Sequence, residues 1–383
     1  MNNFTCEKCG KIFNQKSKHT IHLNRKTPCF KEMTDNIIIK QLVTSKKVKQ
    51  IEFDIIEDDN SDNINANDNE NLVKINTNIK FPKPILKWVG GKTQILDKLI
   101  TEFPNEMKNY REIFLGGGSV LLALLTCVKE GLIKINGNIF AYDVNEPLIY
   151  IYKNIQTNHN ELFNKLQEII QDFNTCSNGE INRSPKNISE AKIAKENYYY
   201  WIRNSYNKLS SLEKQSILGS AMFIFLNKTC FRGVFRVGPN GFNVPYGHYN
   251  NPEIINKEHL DEIHKLIQGV IFESCNFIES LKLENISTDD YIYLDPPYAP
   301  ETNTSFVGYT ENGFNTENHI SLFNLLHKLT ETNKKIMLSN ADVKLVRENF
   351  TGDKYNITSI LCKRSINSKN PEAKAKEVII KSY

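Results

Sequence analysis

The segment Tyr291-Ile292-Tyr293-Leu294-Asp295-Pro296-Pro297-Tyr298 says most about chemistry. An apolar, strand-type run delivers an acid, two prolines and a tyrosine to its carboxyl end, where open α/β sheets collect their ligands. The prolines freeze the turn and carry no N–H. The Asp295 carboxylate and the Pro296 carbonyl therefore form two acceptors aimed at one amino group, and Tyr298 offers a flat face to a planar ring. An exocyclic amine on a purine is a poor nucleophile because its lone pair is delocalised. Two acceptors on its two hydrogens favour a pyramidal nitrogen and stabilise the positive charge that develops there. These residue types suit the methylation of an amino group. An Asp-Pro-Pro turn beside a core tyrosine is common by itself, so its weight depends on what lies upstream.

Upstream, Arg111-Glu112-Ile113-Phe114-Leu115-Gly116-Gly117-Gly118-Ser119 reads as a short strand, a glycine turn and a helix opening at Ser119. Glycines there let the backbone turn tightly and approach a ligand without a Cβ in the way. Phe140-Ala141-Tyr142-Asp143 reads as a second strand ending in an acid, placed to accept from both hydroxyls of a ribose. Together they imply an adenosine-type cofactor, without distinguishing a nicotinamide dinucleotide from S-adenosylmethionine. Lys87-Trp88-Val89-Gly90-Gly91-Lys92-Thr93 ends like a phosphate-binding loop. That motif needs another glycine, with four residues between it and the Gly-Lys pair, and neither Leu86 nor Lys87 supplies it. A nucleotide triphosphatase is disfavoured.

A second constellation opens the chain. Cys6-x2-Cys9, then His22, then Cys29 supply three thiolates and an imidazole, a donor set for tetrahedral zinc. Some 30 residues hold too little core to fold unaided, so the metal supplies folding free energy. The segment resembles a C2H2-type zinc finger in its Cys-Cys-His-Cys variant, with Phe4 and Phe13 as core aromatics and His19 as core filler rather than ligand. Residues 1–31 hold seven Lys/Arg against one acid, which favours nucleic acid as the finger's partner, with a protein-interaction finger as the rival.

These groups need elements to position them. Apolar, β-branched and aromatic runs at 111–115, 138–142, 269–274, 290–294, 334–338, 357–361 and 376–380 predict strands. Helical patterns at 92–102, 118–130, 145–156, 257–267, 316–330 and 342–349 lie between several of them, so the expected fold is α/β with helices on both faces of a sheet. Residues 157–255 break the alternation: helices at 158–172, 190–208 and 212–226, then a Gly/Pro/Asn-rich stretch at 227–249, read as an inserted subdomain. Residues 51–70 hold eight acids and no base. With their Asn/Asp-rich neighbours they predict a flexible linker over 32–80. No apolar window approaches the roughly 18 residues of a membrane span. The first residues show no apolar core of a secretion signal, so secretion is not expected.

In order, Lys87–Lys92, Phe114–Gly118, Asp143-Val144-Asn145 and Asp295–Tyr298 resemble the motifs of Dam-like (D12 class) DNA adenine-N6 methyltransferases. The resemblance runs from about Phe81 to Tyr383. It includes Asn227–Gly233 and Gly241–Gly247, similar to that family's target-recognition hairpin, Phe306-x2-Tyr309, and the terminal strand Glu377–Tyr383. It implies a Rossmann-like S-adenosylmethionine-dependent methyltransferase sheet over 81–383, with 157–255 as a DNA-recognition insertion behind a small ββα finger. It implies that Trp88, Lys92, Phe114, Gly116, Gly118, Asp143 and Asp295 bind S-adenosylmethionine, and that Asp295, Pro296, Pro297 and Tyr298 hold a flipped adenine. Phe231, Arg232, Arg236, Asn243 and Pro245 would meet DNA, with Arg236 reading a guanine through two parallel donors. Ile113 stands where the family usually has Pro. Arg232 and Gly238 replace hairpin asparagines, which leaves open whether the target is the family's common GATC. The implied setting is a monomer acting on double-stranded DNA inside a cell, in cytoplasm or nucleus or as a viral protein in its host, with room for a cognate restriction nuclease. The rivals are cytosine-N4 methylation, an RNA substrate and a DNA-binding protein with an inert methyltransferase domain.

Overall fold

The computed structural model describes residues 4–6, 12–13, 15–23, 79–300, 313–363 and 374–383 of the 383-residue chain. Two compact units divide at residues 64 and 65. In the first, β1 (Phe4–Thr5) and β2 (Ile12–Phe13) pair antiparallel and α1 (Lys16–Leu23) follows. Cys6 is buried. The rings of His22 and His19 lie 4.9 and 5.7 Å from that of Phe13, which agrees with an aromatic core around Phe13. Cys9 and Cys29 fall outside the described residues, as do residues 32–78 of the expected linker and the pair Phe306 and Tyr309. No cluster of three metal-ligating side chains forms among the described residues.

The second unit begins with α2 (Leu96–Ile100), β3 (Glu106–Met107), β4 (Tyr110–Glu112), α3 (Ser119–Lys129), β5 (Lys134–Ile135) and β6 (Ile139–Asp143). Next come α4 (Glu146–Asn174), α5 (Ile188–Ala191), α6 (Lys195–Lys208), α7 (Ser211–Lys214) and α8 (Ile217–Thr229), and the hairpin of β7 (Val237–Gly238) and β8 (Gly241–Phe242). The chain closes with α9 (Lys257–Leu266), β9 (Val270–Ser274), α10 (Phe277–Ser280), β10 (Tyr291–Leu294), α11 (Thr316–Glu331), β11 (Lys335–Ala341), α12 (Lys344–Asn349), β12 (Asn356–Lys363) and β13 (Lys374–Lys381).

The central sheet runs β12-β13-β11-β10-β4-β6-β9. β11, β10, β4, β6 and β9 are parallel, and β13 lies antiparallel between β11 and β12. All four residues of β10 are buried. Tyr291 and Tyr293 enter the core on one face, with residues of α2, α3, α4, α8 and α9. Ile292 and Leu294 enter the other, with residues of α10, α11 and α12. A strand covered on both faces reads as a continuous apolar run, as this one does. No helix among the described residues is long and apolar enough to cross a membrane.

The expected insertion lies on the crossover from β6 to β9. Two helices expected at 145–156 and 158–172 form one, α4, whose backbone leaves helical values at Asn158 (φ −140°, ψ 39°). The helix resumes because apolar residues on both sides of the break, Ile155 and Leu162 among them, join one core. α6 and α8 share that core with the sheet, so this segment packs as part of the larger unit.

Candidate active site

The parallel strands bring the chemistry-bearing segments to one end of the sheet. The chain leaves β10 at Leu294 and passes directly into Asp295. Lys92 Nζ lies 2.7 Å from Asp295 Oδ2 and 2.6 Å from Oδ1. The ammonium thus sits against both carboxylate oxygens. Burial pushes the Asp295 carboxyl up to about 6, the Lys92 ammonium opposes that rise, and Glu377 adds to it. Lys92 is itself buried. Its Nζ donates to the Gly90 carbonyl at 3.0 Å, and its amide donates to Ser119 Oγ, at the start of α3, at 3.2 Å. The turn between Trp88 and Lys92 passes through Gly90 at φ +82°.

Tyr298 presents its ring 4.7 Å from Lys92 Nζ and donates its hydroxyl to Glu377 Oε2 at 2.7 Å. Pro296 is buried, and Pro297 and Tyr298 are half-buried. Beyond them the Ala299 amide donates to Oδ1 of the buried Asn340 at 3.0 Å. β11 and β13 thus hold the exit of the Asp-Pro-Pro-Tyr turn. Sequence reasoning missed both Glu377 and Asn340. Each stands in a strand it had found, but nothing local shows that these strands flank β10's exit.

At the end of β4 the glycine turn forms as expected. Gly116 and Gly118 have φ of +49° and +76°, and α3 opens at Ser119. Asp143, at the end of β6, accepts from the Gly116 amide through Oδ2 (2.9 Å) and from the Asn145 amide through Oδ1 (2.8 Å). Burial raises its carboxyl while the amides of Asn145, Gly116 and Val144 pull it down. Asp143 therefore pins the glycine turn, a task its position alone had not disclosed. Phe114 packs against Phe277 and Phe314, with ring centroids 6.2 and 6.0 Å away. Phe277 was also missed. Its signal was available: it opens the turn after β9, a third parallel strand ending at this edge. Under the turn lies Glu112, buried and pushed up to about 8 by burial against a hydrogen bond from the Tyr110 hydroxyl (2.8 Å), with the charges of Asp295 and Asp143 adding to the rise.

The five expected DNA residues lie on and beside the β7–β8 hairpin, all exposed. Arg232 takes a left-handed backbone (φ +57°). The amide of Phe231, whose ring is half exposed, donates to the Pro245 carbonyl at 2.8 Å. Arg236 Nε donates to Asn243 Oδ1 at 2.6 Å and Nη2 to the Asn243 carbonyl at 3.4 Å. One edge of the guanidinium fork is thus turned toward Asn243, which aims it.

Paired acceptors leaving a parallel strand, beside a glycine turn and a buried acid at the next strand ends, are an arrangement for moving a carbon to an amino nitrogen. The mostly parallel sheet that carries them is consistent with the fold of methyltransferases that use S-adenosylmethionine. Residues 88–366 match the model of the D12 class N6 adenine-specific DNA methyltransferases, and the chain belongs to that family. It is 34% identical over 311 residues to the type II methyltransferase M.MjaIII of Methanocaldococcus jannaschii, covering 79% of this chain and 99% of that protein. It is 30% identical over 307 residues to a DNA adenine methylase of Haemophilus influenzae (78% and 92%) and 26% identical over 310 residues to that of Escherichia coli K12 (80% and 96%). The chain is an adenine-specific N6 DNA methyltransferase, and its family implies S-adenosylmethionine as methyl source.

Proposed function

We propose that the strand-end cluster holds both S-adenosylmethionine and an adenine flipped out of duplex DNA. One observation carries this reading: Asp295 leaves β10 with both carboxylate oxygens within 2.7 Å of the buried Lys92 ammonium, beside the ring of Tyr298. A carboxylate has about four acceptor sites, so one ammonium leaves capacity for a donor brought by a ligand. The surrounding acids, Asp143, Asp295 and Glu377, fit a cofactor carrying a sulfonium and an ammonium. Trp88, Lys92, Phe114, Gly116, Gly118, Asp143 and Asp295 would hold it. When bound it supplies an activated methyl group with a good leaving group attached.

The chain's own residues do the rest. Asp295 and the Pro296 carbonyl accept from the adenine N6 hydrogens, and Pro297 fixes the angle between them. Tyr298, its hydroxyl tied to Glu377, gives the extruded base a stacking surface that offsets part of the few kcal/mol lost on unstacking. Positioning and hydrogen bonding then carry the rate. Phe231, Arg232, Arg236, Asn243 and Pro245 meet the duplex, and Arg236 reads a guanine of the target site. The enzyme acts as a monomer inside the cell.

We also propose that Cys6, Cys9, His22 and Cys29 bind a structural zinc. The buried Cys6, the packing of His22 on Phe13 and the hairpin–helix order support this. The test of the main reading is methyl transfer from labelled S-adenosylmethionine to plasmid DNA, followed by single-molecule sequencing. N6-methyladenine confined to one short motif is the expected result. Folded protein that binds cofactor but leaves DNA unmodified would overturn it.

A further inference from the structure

Two segments far apart in sequence are clamped together by one amide side chain. Lys87 donates its backbone N–H to Asn227 Oδ1 at 2.8 Å, and its carbonyl accepts from Asn227 Nδ2 at 2.8 Å. The same Nδ2 donates to the Gly233 carbonyl at 3.1 Å. Asn227 is buried near the end of α8, and three hydrogen bonds of its side chain join the Lys87–Lys92 turn to the chain that enters the hairpin. The approach is as close as glycine permits: Gly233 sits at φ +65°, and a Cβ there would run into the Lys87 side chain.

A second contact runs beside the first. The Trp88 ring stacks on Phe235, with centroids 5.7 Å apart and planes 21° apart. The same side chain covers the glycine turn, where a Cβ on Gly116 or Gly117 would come within 2.9 Å of it. Phe235 in turn packs on Phe242 of β8 (5.8 Å) and on Phe223 of α8 (5.1 Å). The glycine turn, Trp88, Phe235 and the hairpin form one unbroken line of contacts.

We propose that Asn227 and Phe235 are positioning residues that couple the two ligands of this enzyme, so that cofactor in the Trp88–Gly118 pocket tightens DNA binding at the hairpin, and DNA tightens the cofactor in return. The inference rests on the placement of cofactor and DNA given under Proposed function. Neither residue is assigned to a ligand there. A ligand that orders the Lys87–Lys92 turn fixes the backbone to which Asn227 is bonded and the ring on which Phe235 lies. The hairpin then has fewer arrangements left to lose on meeting DNA. Linkage requires the same factor in both directions.

The test uses the full chain, S-adenosylhomocysteine as a non-reacting occupant, and a labelled duplex bearing the motif that the wild-type enzyme methylates. DNA affinity is measured by anisotropy with and without saturating S-adenosylhomocysteine, and S-adenosylhomocysteine affinity by calorimetry with and without DNA. In the wild type each ligand should tighten the other by the same factor, about fivefold or more. Asn227→Asp keeps the shape but turns a carboxylate on the Lys87 and Gly233 carbonyls, and Phe235→Leu removes the stack. Either should bring the factor to about one, while each ligand alone still binds. Should Asn227→Asp fail to fold, Phe235→Leu carries the test. Folded variants that keep the wild-type factor would overturn the proposal, as would a wild type that binds both ligands independently. A wild type that binds no S-adenosylhomocysteine overturns the cofactor assignment beneath it, a different and separately visible result.

Discussion

Asp295 has two opposing influences on its charge, and they can be separated. Burial raises its carboxyl and Lys92 lowers it, and the balance leaves it at about 6. Only the ionised form accepts from both directions, so kcat/KM should fall as pH drops through about 6. Removing the opposing ammonium with Lys92→Met should move that acid limb to higher pH, on top of any loss in cofactor affinity. A pH–rate profile checks this, and a limb that stays in place would mean that another group titrates there. Asp295→Asn keeps one acceptor but turns the amide's donors on the base. By analogy with single hydrogen-bonding groups of other active sites, kcat should fall by about 10²-fold or more, read in single-turnover methylation. Glu112, pushed up to about 8, is chiefly neutral at pH 7. It therefore adds little negative charge beneath Asp295, whose own carboxyl would otherwise rise further.

At the scale of elements, α6 acts as a rail for the hairpin's return strand. Tyr199, Arg203 and Asn207 recur at helical spacing of four and share one face. Tyr199 Oη and Arg203 Nη1 donate to the Val244 carbonyl at 2.7 and 3.2 Å, and Asn207 exchanges two hydrogen bonds with the Phe242 backbone. Asn243, which aims Arg236, lies between these two held residues. Asn207→Ala should loosen that aim. Two lost hydrogen bonds at about 1 kcal/mol each set a ceiling of roughly thirtyfold on the rise in Kd for the target duplex. Affinity for S-adenosylhomocysteine measured without DNA should stay within about twofold, and a duplex titration by anisotropy distinguishes the two. The seven strands of the sheet and the main helices were legible in the sequence because each carries its own period and its own boundary residues. Asp295 and the glycine turn were legible because chemistry restricts the residue types there. The rail on α6, the Asn227–Lys87 clamp and the Glu377–Tyr298 bond were not, because each pairs residues between 35 and 140 positions apart. Local patterns show that such polar side chains exist and not whom they meet. Even the kink at Asn158 was half read, as a gap between two helices that the shared core in fact rejoins.

At the scale of the whole molecule, the two units differ in how they hold together. The larger has a core on each face of its sheet, whereas some 30 residues at the N-terminus bury too little to fold without help. That contrast predicts a separable metal dependence. The isolated chain should carry one zinc, and a chelator should unfold the N-terminal unit without lowering the rate at which residues 81–383 methylate a short duplex under saturating conditions. The charge pattern adds a second consequence. The flexible linker that composition predicts for residues 32–80 would span roughly 35–45 Å, about a dozen base pairs at roughly 3.4 Å per step. The proposed basic finger on such a tether would reach DNA only where the duplex extends beyond the enzyme's own footprint. Deleting residues 1–31 should therefore raise the Kd for duplexes of about 40 base pairs severalfold or more and leave the Kd for minimal duplexes unchanged, because the gain comes from effective concentration and not from new contacts at the target. The long-duplex effect should fade as salt rises, since phosphate contacts carry it. A deletion that leaves both constants unchanged would remove DNA from the finger's role and leave a protein partner as its ligand.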